Sequence, residues 1–258
     1  MSVQESIKIT VCPGFNKLGI RENFEPIEIR PGDMISIVGP TGSGKTAFIN
    51  DLEVCAQGDT VTRRRILFND RVPSDDVIRD PAKKPIAMIT QNTKCLADLS
   101  VREFLEMHRA TRSNLSENIV EEAIVLGNRF TGEKFDGDWR ISDLSGGQTR
   151  SLMIADALLI SDAPIILLDE IENAGIYKDA VIGSLKGMNK AVLFVTHDPY
   201  VSMITERRIV MRNGEVVEVI RSTGSEAEAI RMVQDMDARL SVLRERLRNG
   251  DIIAGASF

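Results

Sequence analysis

The chain has 258 residues, 43% hydrophobic and 27% charged, with a formal net charge of −6. That length and mix suit a globular protein with one domain and a subdomain. The acidic balance argues against a nucleic-acid surface spread over the whole molecule, so no nucleic-acid partner is expected. Cys12, Cys55 and Cys95 stand far apart with no CxxC pair, which points to a reducing compartment and no structural zinc. No apolar run approaches the ~20 residues of a membrane-spanning helix, and no signal peptide opens the chain. A cytoplasmic protein is expected, peripheral to a membrane only through a partner.

In chain order, the first 32 residues and the later stretch RRILFND (64–70) read as strands of an antiparallel layer. The basic run Arg63, Arg64 and Arg65 reads as a solvated strand entrance rather than a nucleic-acid patch. MISIVG (34–39) is a short aliphatic run without alternation, the mark of a strand covered on both faces. A helical stretch, GKTAFINDLEVCA (44–56), follows it. PIAMITQ (85–91), PIILLDE (164–170) and AVLFVTHD (191–198) repeat the buried-strand pattern. These four runs end at Gly39, Gln91, Asp169 with Glu170, and His197 with Asp198. Ligands of open parallel sheets bind at the carboxyl ends of the strands, so these residues are expected to converge. Between Gln91 and Ser145 the patterns VREFLEMHRAT and SENIVEEAIVLG predict helices, the second from Ser116, and a small helical subdomain over about 92–158. MRNGEVVEV (211–219) carries Asn213-Gly214 between two apolar runs and predicts a hairpin. The tail from Ser225 to Asn249 places Val233, Met236, Leu240, Leu243 and Leu247 at three-four spacing. It predicts an amphipathic helix that either packs back on the domain or offers a seam to a partner. The main domain is drawn at 1–222 and the extension at 223–258.

The chemistry begins at Gly39-Pro40-Thr41-Gly42-Ser43-Gly44-Lys45-Thr46, which fits G-x-x-x-x-G-K-[ST] between a strand and a helix. Glycines let backbone N–H groups converge on phosphate oxygens, and the helix N-terminus adds about half a positive charge. Lys45 is placed to neutralise the β- and γ-phosphates of ATP, and Thr46 to give its hydroxyl to Mg²⁺. Asp169 ends its strand in the Walker-B position beside that ion, and Glu170 suits a general base for an attacking water. A GTP-binding protein would need an NKxD base reader, and NKLG (16–19) and NKAV (189–192) lack the aspartate. A simple kinase leaves the second glycine cradle unexplained: Ser145, Gly146, Gly147 and Gln148 open an apolar helix about a hundred residues after the first.

Walker A, Gln91 in ITQN, LSGGQ (144–148), IILLDE (165–170) and VTHD (195–198), in this order, resemble the ATP-binding cassette (ABC) ATPases over roughly residues 3 to 220. The resemblance implies a P-loop α/β fold with a mostly parallel core sheet, an N-terminal antiparallel β layer and a helical subdomain. It implies that the second cradle serves the γ-phosphate on another subunit's P-loop, so that two cassettes, here a homodimer, sandwich two ATP molecules head to tail. It makes Gln91 a catalytic and Mg²⁺-touching glutamine, and His197 a switch residue for the γ-phosphate. It makes Phe15 the aromatic that stacks on adenine, leaving Phe24 to the core.

Departures from the family pattern stand beside these matches. Ser151 and ADAL follow the second cradle, with Asp156 where an arginine is expected, and Ile176 replaces the aspartate of the loop that crosses the dimer interface. The residues 92–110 resemble the stretch where transporter cassettes receive their membrane subunits. The expected function is therefore ATP hydrolysis powering a membrane transporter with separate transmembrane subunits. The alternative is a soluble ABC ATPase that remodels a protein or assists metallocofactor assembly, favoured by the altered loop and the amphipathic tail.

Overall fold

The computed structural model describes residues 7–80, 83–90, 98–112, 115–171 and 176–252. Gln91, Cys95 and residues 172–175 lie outside the described residues.

Three short strands, β1 (Ile9–Cys12), β2 (Ile27–Ile29) and β4 (Arg65–Phe68), form an antiparallel sheet in the order β2-β1-β4. The main sheet has six strands: β3 (Met34–Val38), β5 (Ile86–Ile89), β6 (Ile165–Asp169), β7 (Ala191–Val195), β8 (Arg207–Arg212) and β9 (Glu215–Arg221). Their order is β5-β6-β7-β3-β8-β9, parallel throughout except for the β8–β9 hairpin. All five residues of β7 and four of the five in β6 are buried, as expected of strands covered on both faces.

Alternation along these strands divides the core into two layers. Ile165, Leu167, Leu193 and Val195 face a cluster with the antiparallel sheet and with Phe48, Ile49 and Leu52 of α1 (Lys45–Glu53). Ile166, Leu168, Val192 and Phe194 face the opposite cluster. That cluster holds residues of α5 (Gly146–Leu159), α6 (Lys178–Leu185) and α7 (Pro199–Ile204). Apart from α2 (Asp75–Arg79), which buries nothing, the remaining helices of the middle segment have a core of their own. Val101, Phe104 and Leu105 of α3 (Val101–Ala110) pack there with Ile119, Val120, Ala123 and Ile124 of α4 (Ile119–Phe130). α4 starts at Ile119 with Asn118 as its N-cap, not at Ser116. Met153 and Leu159 of α5 border both this core and the second layer, so α5 joins the helical segment to the sheet.

The expected hairpin is β8–β9, turning through Asn213 (φ 52°) and Gly214 (φ 87°) in the left-handed region that a two-residue turn requires. The tail forms α8 (Ala227–Arg248), and it behaves differently along its length. Ile230 and Val233 pack on the second layer, Gln234 donates to the Tyr200 hydroxyl at 3.1 Å, and Asp237 pairs with Lys178 at 2.8 Å. Beyond that point Leu240 and Leu247 are exposed. The first turns of the tail therefore return to the domain, and its last turns do not.

Candidate nucleotide site

The parallel register sets the site. Ile37 of β3 pairs with Val195 of β7, and Val195 with Asp169 of β6, so three adjacent strands end at one level. From β3 the chain passes through Gly39, Pro40, Thr41, Gly42, Ser43 and Gly44 into α1. Gly39 (φ 153°) tolerates no side chain, because a Cβ would lie 2.3 Å from the Met211 carbonyl oxygen. Gly44 (φ 102°) caps α1 and abuts Gly214, whose Cα would be 2.8 Å from an added Cβ. The hairpin turn thus braces the loop from outside, and Gly214 N–H donates to the Ser43 carbonyl at 2.7 Å.

Lys45, buried in the first turn of α1, folds back so that its Nζ donates to the carbonyls of Gly39 (2.9 Å) and Pro40 (3.3 Å). Burial pushes its pKa down, opposed by the nearby carboxylates of Glu170 and Asp169. Thr46 beside it is exposed. The buried Ser43 hydroxyl has no hydrogen-bond partner among the described residues, an orphan polar group aimed into the loop's own frame.

Asp169 ends β6, and Glu170 follows with φ 50°, a left-handed conformation that costs a non-glycine residue about 1–3 kcal/mol. Its N–H donates to the Val195 carbonyl at 2.8 Å. One strand over, His197 brings Nε2 to 3.7 Å from Glu170 Oε1. Phe15 is half-buried on the loop between β1 and β2, and the Arg63 guanidinium lies 5.6 Å from its ring centroid. The same loop reaches the first cradle, since Lys17 Nζ donates to the Gly42 carbonyl and Lys17 N–H to Asn213. Phe24 packs against the first core layer. The structure therefore brings together residues 39–46, Asp169, Glu170 and His197, with the loop that carries Phe15 reaching Gly42 through Lys17.

The second cradle stands apart, on a helix rooted in different clusters from α1. Ser145 and Gly146 are exposed, and Ser145 and Gln148 form a capping box at the start of α5. Gln148 is buried, and its Nε2 also donates to the carbonyls of Glu133 and Lys134, each at 3.2 Å. Its side chain serves the helix start, while the exposed Ser145 and Gly146 are what a ligand would meet first. The departures also have structural occupants: Asp156 pairs with His108 of α3 at 2.9 Å, and Ile176 is buried in the second layer.

The ABC transporter family model matches residues 26–173, a span that holds both the strand-end cradle at residues 39–46 and the exposed one at the start of α5. The chain is a member of the ABC ATPase family. It is 48% identical to an uncharacterized ABC transporter ATP-binding protein of Methanocaldococcus jannaschii, covering 95% of this chain and 94% of that one. It is 32% identical to the macrolide export ATP-binding/permease protein MacB of Chromobacterium violaceum, over 91% of this chain but 36% of that longer protein. The ABC fold is shared with a dimeric ATP-binding cassette solved in a post-hydrolysis state with ADP and Pi (TM-score 0.63, 24% identity, 84% of this chain and 99% of that one). It is shared too with cbiO1 of Clostridium perfringens, part of the transporter complex cbiONQ (TM-score 0.64, 22% identity, 93% and 100% covered). The protein is an ATPase of this family, and among the described residues no helix is long and apolar enough to cross a membrane.

The sequence reading missed the frame around this ABC site. Arg64 is not solvated: it is fully buried and pairs with Glu22 and Asp51, while Arg63 and Arg65 on either side are exposed. Three consecutive arginines carry no local sign of which one faces inward; only the distant carboxylates of Glu22 and Asp51 assign it. Nor did the sequence signal that the Asn213-Gly214 turn, legible as a turn, would brace the P-loop.

Proposed function

We propose that the chain is the ATP-binding subunit of a membrane transporter, working as a head-to-tail homodimer of cassettes with separate transmembrane subunits. Residues 1–222 form the cassette, with its helical subdomain at about 92–158, and 223–258 an appended helical extension. The observation that carries the hydrolytic reading is the strand-end alignment that sets Glu170 and His197 3.7 Å apart beside the loop holding Lys45.

Residues 39–46 cradle the phosphates, and Lys45 regains in a bound anion the stabilisation that burial removes. Phe15 stacks on adenine. Ser145, Gly146 and Gly147 of one subunit meet the γ-phosphate held by the other, with Gln148 shaping that helix start. Glu170 accepts the proton of a water that attacks the γ-phosphorus as ADP leaves, and His197 contacts the γ-phosphate. The donor set suits Mg²⁺: Thr46 hydroxyl, the Asp169 carboxylate and Gln91, which lies outside the described residues, are hard oxygen ligands for an ion that arrives with phosphates and waters. When bound, Mg²⁺ supplies charge neutralisation on the phosphates.

Glu170→Gln tests the reading. Loss of the base is expected to slow hydrolysis about 10²–10⁴-fold and to leave an ATP-bound dimer that survives gel filtration. Captured with ATP from gently solubilised cells, that dimer is expected to bring down a polytopic membrane protein. Wild-type turnover removes Glu170 from its role, and capture of soluble proteins alone replaces transport with protein remodelling.

A further inference from the structure

The helix that begins at the second cradle also reaches the first site from behind. Arg150 lies on α5, five residues after Ser145, and is only 3% exposed. Its Nη1 donates to the main-chain carbonyl oxygen of Glu170 at 3.2 Å. A guanidinium stays charged at any relevant pH and keeps its planar donor fork fixed once buried. It holds one side of a residue kept at φ 50°. The other side is held by β7, where Glu170 N–H meets the Val195 carbonyl. The sheet and α5 together clamp the two peptide units that aim the Glu170 carboxylate.

We infer that Arg150 is a positioning residue that couples the state of the second cradle to the aim of the base within the same subunit. The inference rests on the proposed head-to-tail dimer and on Glu170 as the base. In that dimer Ser145 touches the ATP of the opposite subunit, whereas Glu170 acts on the ATP of its own. α5 is a continuous helix of 14 residues, and Arg150 sits about 7.5 Å along it from Ser145. A shift of the helix on engaging the partner's γ-phosphate therefore moves Arg150 and the carbonyl it holds. Occupancy of one site aligns the base of the other. The interface loop is a poorer carrier here, because Ile176 is apolar and only 7% exposed in its own chain.

The test compares steady-state ATP hydrolysis by the full chain and its Arg150→Gln, Arg150→Lys and Glu170→Gln variants. The wild type is expected to show a Hill coefficient for ATP between about 1 and 2, the ceiling being the number of sites. Arg150→Gln is expected to lower kcat roughly 10- to 100-fold, the scale of a misplaced catalytic group, with KM nearly unchanged and the Hill coefficient reduced to about 1. Arg150→Lys keeps a cationic donor and is expected to recover part of kcat. A non-cooperative wild type, or wild-type kcat and cooperativity in Arg150→Gln, overturns the inference. If Arg150→Gln does not fold, Arg150→Lys decides: unchanged kinetics, or loss of nucleotide binding along with folding, assigns Arg150 a merely structural role. An inert Glu170→Gln beside an unaffected Arg150→Gln sinks this inference alone, while an active Glu170→Gln removes the base on which it rests.

Discussion

Arg64 is a charge kept entirely out of water. Its Nε and Nη2 donate to the two carboxylate oxygens of Glu22 (2.8 and 2.5 Å), Nη1 to Asp51 at 3.1 Å, and Nη2 also to the Gly214 carbonyl at 2.9 Å. Glu22 in turn accepts from the N–H groups of Gly14 and Val216, and Asp51 from the Thr62 hydroxyl. One side chain thus ties the Phe15 loop, helix α1 and the hairpin turn, the three pieces that frame the P-loop. Arg64→Ala leaves two carboxylates buried without their cation, so a loss of about 3–5 kcal/mol is expected, read as a lower urea midpoint. ATP affinity should weaken with it, because the frame rather than any ligand contact is removed. In the sequence Arg64 was indistinguishable from its neighbours, since its partners lie 42, 13 and 150 residues away.

At the scale of elements, α5 carries both the exposed cradle and the link to Glu170, and its far end is capped by a lysine. Lys190 Nζ donates to the carbonyls of Ala157, Ser161 and Ala163 where the helix terminates. Burial nevertheless pushes its pKa down to about 8. The unfolded chain, with an ordinary lysine near 10.5, then binds the extra proton between those two values. Stability contributed by this group therefore rises with pH through that window, and below about 8 the full cost of the buried charge applies. Melting temperatures measured against pH should show the wild type gaining on Lys190→Met between pH 8 and 10.5, and parallel curves would refute the assignment. The elements themselves were mostly legible: aliphatic runs gave buried strands, and Asn213-Gly214 gave its turn, because both signals are local. The start of α4 was misplaced because Ser116 and Asn118 both suit a helix start, and it is Asn118 that takes the N-cap position, without a side-chain bond to the helix.

For the whole molecule, one complete cradle and one exposed cradle in each chain suit the proposed head-to-tail dimer. Ser145 is exposed at the start of α5 and open to a second subunit. Ser145→Arg places a long cation where a phosphate has to approach. It is expected to abolish the ATP-dependent shift of the Glu170→Gln protein to a dimer in gel filtration, while nucleotide binding by the monomer stays within about threefold, as for a surface change remote from the P-loop. Loss of binding instead would mean that the two cradles serve one site. The sequence by itself determined the family and the strand ends, and it supplied the residues proposed to meet the phosphates, because glycine spacing, terminal carboxylates and helix starts are properties of neighbouring residues. Only the tertiary structure decided which arginine is buried, that Gln148 bonds to the Glu133 and Lys134 carbonyls, and that Arg150 reaches Glu170. Those outcomes depend on side chains far apart in the chain meeting in a packed interior, where the position of each is set by all the others.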